Sequence, residues 1–476
     1  MGLGAAGLAL PRWALGAAGV GSKPVRQAQG KPNIVIIVAD DLGWNDVSFH
    51  GGEIKTPHID RIAREGVELD RFYVCPICSP TRAGLMTGRW PLRFGIMRAV
   101  IPPWRKYGLP DDEETMATML GEAGYSRRAC VGKWHLGHCH RRYHPLNRGF
   151  THFYGCYNGA IDYFTHQREG ELDWHRGYAP ARESGYATDL LAGEAVKFIR
   201  ESPKGSPFFL YLPFNAPHSP LQAPEAYLEK VAPSLKGPRR KYAAMVMCMD
   251  DGIGRVLAAL DAKGVADNTL VLFFSDNGGA SMADNKPLRG GKQTLFEGGI
   301  RAAAAARWPA GGLTGGRKVI EVMGYVDVLP TLRRIVAAGP HGGKPLDGID
   351  VYDALAGKAA LPKRKWYSYW AQGGDRQERL AVIDGEWKLV REGPPILGSP
   401  AGGAQTKRPK AKLLLFRINE DPNEKTDLAA KHPDVVRRLR KNLRTFRALR
   451  CRGGVPAYGQ GRAGFKASTD WMMPGE

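Results

Sequence analysis

The residues able to do chemistry in this chain stand at the abrupt ends of apolar runs. Cys78-Ser79-Pro80-Thr81-Arg82 leads into a short helix-like run that ends at Gly88, with Arg89 beyond it. A nucleophile at such a helix N-terminus would feel the positive end of the dipole, which favours developing negative charge. The competing reading is a small buried thiol, the commonest fate of a free cysteine. Asp40-Asp41 follows directly on the run NIVIIVA, and two charges straight off a buried strand fit a metal site better than a solvated turn. Lys133 and His135 stand two apart, so on an extended segment they face one side. Asn215-Ala216-Pro217-His218 ends a second apolar run, and Asp276-Asn277 ends a third. Arg289-Gly290-Gly291-Lys292 is a Gly-rich loop with a basic tip, lacking P-loop spacing.

The elements that must position these groups are legible in outline. Residues 33–39, 207–212 and 269–275 are continuous apolar runs, the pattern of strands buried on both faces. Each ends in acid, amide or imidazole groups, which places one polar cluster at one sheet edge. Between them the pattern predicts a helix opened by Thr56-Pro57, a short strand over 67–74, and helices over 81–87, 115–123, 188–200 and 242–263. Strands alternating with helices give an α/β domain. From about residue 361 the texture changes to short strands over 366–370, 380–383, 387–390 and 413–418, with a hairpin at Asp384-Gly385 and a basic helix over 435–446. The expected organisation is therefore an export-signal-like segment 1–30, a catalytic domain 31–360 and a smaller domain 361–476. Residues 393–412, rich in Pro, Gly, Lys and Ala, read as an insertion.

Composition narrows the field. With 43% hydrophobic and 24% charged residues over 476 positions the chain is globular. A formal charge of +21 implies attraction to polyanions. No zinc-finger spacing or aromatic-basic RNA-binding signature accompanies it, so a sulfated polysaccharide fits at least as well as nucleic acid. Seven cysteines are too few for a disulfide scaffold, and Cys75 and Cys78 form a lone C-x-x-C that leaves a redox or zinc reading open from spacing alone. His138, His140 and His144 fit no metal motif and read as a polar loop. Residues 2–30, rich in Ala, Gly and Leu and then polar, resemble the apolar core and tail of an export signal, which points to an exported protein, and Pro11-Arg12 interrupts the apolar run, which argues against a membrane span.

The run Cys78 to Arg89 resembles the maturation signature of the type I, formylglycine-dependent sulfatases. Ala39-Asp40-Asp41-Leu42-Gly43-Trp44-Asn45-Asp46, Gly132-Lys133-Trp134-His135-Leu136-Gly137, Gly159-Ala160-Ile161-Asp162-Tyr163 and Leu295-Phe296-Glu297-Gly298-Gly299 resemble the arylsulfatase B, or N-acetylgalactosamine-4-sulfatase, branch. The resemblance spans roughly residues 31 to 450. It implies an alkaline-phosphatase-like fold, a large mixed sheet flanked by helices with a smaller C-terminal antiparallel sheet. It implies Cys78 oxidised to formylglycine by a maturation enzyme acting before folding. Asp40, Asp41, Asp276 and Asn277, with modified Cys78, would hold calcium, magnesium being chemically possible. Arg82 would hold the hydrated aldehyde, Lys133 and Lys292 the sulfate oxygens, and His135 and His218 would move protons. Asp162 and His166 would line a sugar pocket. The implied activity is exo-acting removal of sulfate from a saccharide, such as a 4-sulfated hexosamine or galactose. The alternatives are a phosphonate or phosphate monoester hydrolase of the same superfamily and a non-catalytic polysaccharide-binding protein.

Overall fold

A computed structural model describes residues 30–280, 282–392 and 412–474. Apart from Gly30 and Lys412, the export-like segment and the 393–412 stretch lie outside the described residues.

The apolar run Asn33–Ala39 is the central strand of a ten-stranded mixed sheet. It pairs in parallel with Thr269–Ser275 on one side and Phe208–Pro213 on the other, and the latter pairs in parallel with Arg127–Val131. The four strands therefore end at one edge. Their apolar character has a direct cause, since alternate side chains feed two cores. Ile34, Ile36 and Val38 pack on the face that also holds Leu85 and Met86, whereas Val35, Ile37 and Ala39 pack with Met245 and Met249. Each Val, Ile, Leu or Met among them contributes about 1.5–3 kcal/mol on leaving water. The Met-rich face of the Gly237–Lys263 helix is thus core.

A second, four-stranded antiparallel sheet runs in the order Lys365–Trp370, Arg379–Asp384, Trp387–Glu392 and Lys412–Arg417. The helix Pro433–Ala448 packs on it through Leu439, Leu443 and Phe446. Trp90 joins the two layers, its ring 5.0 Å from Trp366 and 5.7 Å from Phe446. Lys388 joins them a second time, with its ammonium 2.8 Å from both Glu297 and Glu424 and all three buried. Residues 450–474 then return to the first sheet, where Trp104 donates to the Tyr458 carbonyl and His175 meets the Asp470 carbonyl.

Three local expectations change. The single strand over 67–74 is two strands, Val67–Leu69 and Phe72–Tyr73, because the first pairs within the large sheet and the second with Met323–Gly324 in a separate one. The helix expected from Thr81 begins at Cys78 itself. The loop expected around His138 and His144 is present but not solvated, since both rings are buried and bonded to the carbonyls of Pro103 and Gly177. All seven cysteines are free thiols, and no described helix is long and apolar enough to cross a membrane.

Candidate active site

The strand ends are bolted together by backbone hydrogen bonds. Asp276 N–H donates to the Ala39 carbonyl, Asp40 N–H to Ala216 and Lys133 N–H to Pro213, each at 2.8–3.0 Å. These bonds carry the polar residues that follow each strand into one cluster. Asp41 adopts a left-handed backbone, φ 69°, which Asp tolerates better than most residues. Asp46 fixes that loop by accepting from Gly43 N–H, Asp284 N–H and Tyr242 O–H.

Cys78 is the first residue of the Cys78–Thr87 helix, and the preceding Ile77 offers no side-chain cap. The N–H groups of that first turn therefore have no capping side chain at the end of the helix where Cys78 stands. Pro80 sits in the first turn, where its missing N–H breaks no helical bond. Burial pushes the Cys78 thiol up, against the pull of Lys133. As an unmodified thiol it is a poor nucleophile.

Around it the charges are tightly matched. Arg82 reaches Asp276 with Nε at 2.9 Å and Nη2 at 2.7 Å, and donates to the Lys133 carbonyl. Lys133 is hydrogen-bonded to Asp40. Lys292 lies 2.6–2.7 Å from the two oxygens of Asp41, which also accepts from Asn277 at 2.8 Å. Burial raises the Asp41 carboxyl, but the Lys292 and His218 charges outweigh it and hold the group well below the usual range. Burial and the Asp40 charge push Asp276 up to about 7.

Asp40 Oδ1, Asp276 Oδ1 and Asn277 Oδ1 are buried without a hydrogen-bond partner. Buried acceptors are rarely left so. Asp40, Asp276 and Cys78 also present ligand atoms within 4.8 Å of one another. A hard divalent cation fits this oxygen set.

The histidines are set by carbonyls. His135 Nε2 bonds the Ile101 carbonyl at 3.1 Å, leaving Nδ1 buried without a partner, and burial with the Lys133 charge keeps the ring neutral. His218 Nδ1 bonds the Ser219 carbonyl at 2.6 Å, so Nε2 is the nitrogen facing Asp41, 3.6 Å away. Lys133 and His135 do meet in the cluster, but not as alternate residues of a strand. They follow the Arg127–Val131 strand in a loop, with His135 at φ 55°. Only His218 and Lys292 reach solvent, at 17% side-chain exposure each; Asp40, Asp41, Asp276, Arg82 and Lys133 lie at 4% or less. A ligand therefore enters past those two.

Both residues of the expected sugar-pocket pair make hydrogen bonds within the protein, Asp162 half-buried and His166 buried. His166 is buried, stacked on Trp174 and bonded to the Gly185 carbonyl. Asp162 spends Oδ1 on the N–H groups of Phe164 and Thr165 and Oδ2 on Gln222. Sequence reasoning missed three supports. Tyr163 O–H bridges the Asn215 and His218 carbonyls, Gly159 packs on the His135 ring, and Asp173 binds the N–H groups of Tyr157 and Asn158. Tyr163 and Gly159 lie in a motif already singled out; neither Asp173 nor the Ile101 carbonyl carries a local signal.

The fold and the site define an α/β enzyme of alkaline-phosphatase-like architecture, with fixed cations around a buried cysteine at a helix N-terminus. The family profile described as Sulfatase matches residues 32–336. Arylsulfatase J of Mus musculus is 33% identical over 456 residues, covering 87% of this chain and 76% of that protein. N-acetylgalactosamine-6-sulfatase of Homo sapiens is 31% identical over 484 residues, covering 93% and 90%. The crystal structure of Ps i-CgsB in complex with k-i-k-neocarrahexaose aligns with a TM-score of 0.79 and 31% identity, covering 88% of this chain and 94% of that one. The chain belongs to the sulfatase family and is a sulfatase.

Proposed function

We propose that the protein removes sulfate from a sulfated saccharide, with Cys78 matured to formylglycine and calcium held by Asp40, Asp41, Asp276 and Asn277. The observation that carries this reading is the set of three partnerless buried oxygens beside Cys78, ringed by Arg82, Lys133 and Lys292. Three carboxylates face three cations there, so a bound divalent ion leaves the site positive toward an anionic ester.

Matured Cys78 and the cation together supply a two-hydroxyl nucleophile and neutralisation of the sulfate charge, the second hydroxyl allowing sulfate to leave without water attacking sulfur. Arg82 orients the nucleophile and holds Asp276 in place. Asp276 assists removal of the proton from the attacking hydroxyl. Lys133 and Lys292 bind sulfate oxygens and neutralise charge as it shifts toward the leaving oxygen. At the solvent side Lys292, whose ammonium carries the proton, and His218, when its Nε2 is protonated toward Asp41, together protonate or stabilise the leaving alcohol. His135, held neutral with Nδ1 free, accepts the proton when sulfate is expelled. The sugar occupies the side of His218 and Lys292.

A saccharide substrate is supported by the names of the relatives, N-acetylgalactosamine-6-sulfatase and a structure bound to k-i-k-neocarrahexaose, and a 4-sulfated hexosamine or galactose at a chain end remains our expectation. Cys78 is 2% exposed, so the maturation enzyme would act before folding, on a chain bound for export. The test is peptide mass spectrometry across Cys78 on protein co-produced with that enzyme, together with aryl sulfate and aryl phosphate turnover with and without chelator. A peptide about 18 Da lighter and chelator-sensitive turnover of sulfate over phosphate are expected. Faster phosphate turnover would move the chain to the phosphate or phosphonate monoester hydrolases.

A further inference from the structure

The helix Pro433–Ala448 carries charge that the fold does not use. Leu439, Leu443 and Phe446 set its rotation, with Phe446 stacked on Tyr367 at 4.6 Å. At 3.6 residues per turn, Arg437, Arg440, Lys441 and Arg444 fall at i, i+3, i+4 and i+7, one stripe on the side away from the core. All four are exposed.

Other arginines of the same helix are matched: Arg438 meets Asp384 at 2.5 Å and Arg447 meets Glu378 at 2.6 Å. Among the described residues, none of the four stripe side chains has an ion pair or hydrogen bond. The helix has one acid, Asp434, in its first turn, where it complements the dipole. Like charges three and four apart on a helix repel one another. An exposed helix with only a structural task gains by alternating acids with bases, and this one does the reverse.

We infer that the stripe is a second, non-catalytic docking surface for a sulfated polysaccharide. Four cations in line over about 10 Å of helix axis suit a linear polyanion lying along it. No aromatic side chain interleaves with the stripe, as stacking on single-stranded nucleic acid would require. The choice of polyanion rests on the sulfatase reading of the active site. The two places are separate. Phe446 packs against Trp90, just beyond the C-terminal end of the helix whose N-terminus bears Cys78. Polymer held at the stripe leaves the active site free for another stretch of the same chain and raises its effective concentration there.

The test uses the full chain with three variants: the quadruple R437Q/R440Q/K441Q/R444Q, the double K441Q/R444Q, and the charge-preserving R437K/R440K/R444K. Each is measured for aryl sulfate turnover, melting temperature, and binding to immobilised dextran sulfate, uncharged dextran and duplex DNA over a salt series. The quadruple variant should keep wild-type turnover and melt no lower than wild type, since the repulsion along the stripe is relieved. Its dextran sulfate affinity should fall about tenfold or more, with the slope of log affinity against log salt shallower by about 3. The double variant should lose part of the affinity and the lysine variant none. Wild-type dextran sulfate binding by the quadruple variant overturns the proposal. So does tighter binding of DNA than of dextran sulfate at equal salt, lost in the same variant, which would make the stripe a nucleic-acid surface. Absent aryl sulfate turnover in the matured wild type would instead refute the active-site reading, and the binding series still decides whether the stripe holds a sulfated polymer.

Discussion

Arg82 reaches one oxygen of Asp276 with two nitrogens, Nε at 2.9 Å and Nη2 at 2.7 Å, and both side chains are fully buried. Removing one partner of a buried pair leaves the other uncompensated, at a cost of about 3–5 kcal/mol. Arg82→Met is therefore expected to lower the unfolding free energy extracted from a urea titration by that amount, with a correspondingly lower midpoint, and to abolish turnover. Arg82→Lys keeps the charge but cannot reach Asp276 and the Lys133 carbonyl together, so it should be nearly as inactive. A wild-type midpoint in Arg82→Met would show that the pair contributes nothing to stability.

The partnerless oxygens of Asp40, Asp276 and Asn277 make the proposed cation a stabilising ligand as well as a catalytic one. Calcium at a hundred times its dissociation constant should add about 2.7 kcal/mol. Chelator should lower the melting temperature of the wild type and leave Asp40→Asn unchanged. Magnesium should substitute poorly, because it demands a stricter geometry. Identical melting curves with and without chelator would remove the resident ion from the reading.

Cys78→Ala separates chemistry from folding. The thiol packs in a buried site, so its loss should cost about 1 kcal/mol, while aryl sulfate turnover should vanish. Residual wild-type turnover would exclude Cys78 as the source of the nucleophile.

What could be seen in the sequence follows from where the determining interactions lie. The strands ending at Asp40 and Asp276 were legible because residues such as Val35 and Ile36 serve two cores at once, and the chain shows this as an unbroken apolar run. The helix at Cys78 was read three residues late because its first turn has no side-chain cap to mark it. The break at Asp70-Arg71 arises from pairing with strands more than 200 residues away, and no local signal encodes it. His135 was placed beside Lys133 by alternation, yet it arrives through a left-handed turn held by backbone bonds to residues 156 and 157. The insertion-like stretch 393–412 lies almost wholly outside the described residues, as does the export-like segment.

The Glu297–Lys388–Glu424 cluster gives stability a pH dependence of known sign. One ammonium is shared by two carboxylates, all buried. Burial and the Glu297 charge push Glu424 up to about 7, while Lys388 outweighs burial at Glu297 and lowers it. A raised acid binds its proton more tightly when folded, so its contribution is full below about 4.5 and is lost as pH rises toward 7. Glu297 works the other way, its contribution present above about 4.5 and lost below. Glu424→Gln, which mimics the protonated acid, should therefore lie close to wild type at pH 5 and gain about 1–3 kcal/mol relative to it by pH 8. Urea midpoints at the two pH values measure it; a difference that stays constant would mean that Glu424 titrates normally.

Gly159 tests whether the fixed position of His135 matters. A Cβ at residue 159 would lie 2.4 Å from Cε1 and 2.5 Å from Nε2 of His135, closer than van der Waals contact allows. The backbone on the glycine side is held by Asp173, which binds the Tyr157 and Asn158 N–H groups at 2.9 and 2.8 Å. The ring must therefore yield, and in yielding it loses the Ile101 carbonyl that sets its tautomer. On the proposed mechanism His135 acts only when sulfate is expelled, after substrate has bound. Gly159→Ala should thus lower kcat by about a hundredfold, the effect of misplacing a catalytic group by about 1 Å. Slower sulfate release lets the sulfated enzyme accumulate, so KM should fall rather than rise, and single-turnover release of the alcohol should stay fast. A variant whose alcohol-release step slows as much as its turnover would assign His135 to the first half of the reaction, and a variant with wild-type kcat would show that the ring needs no such placement.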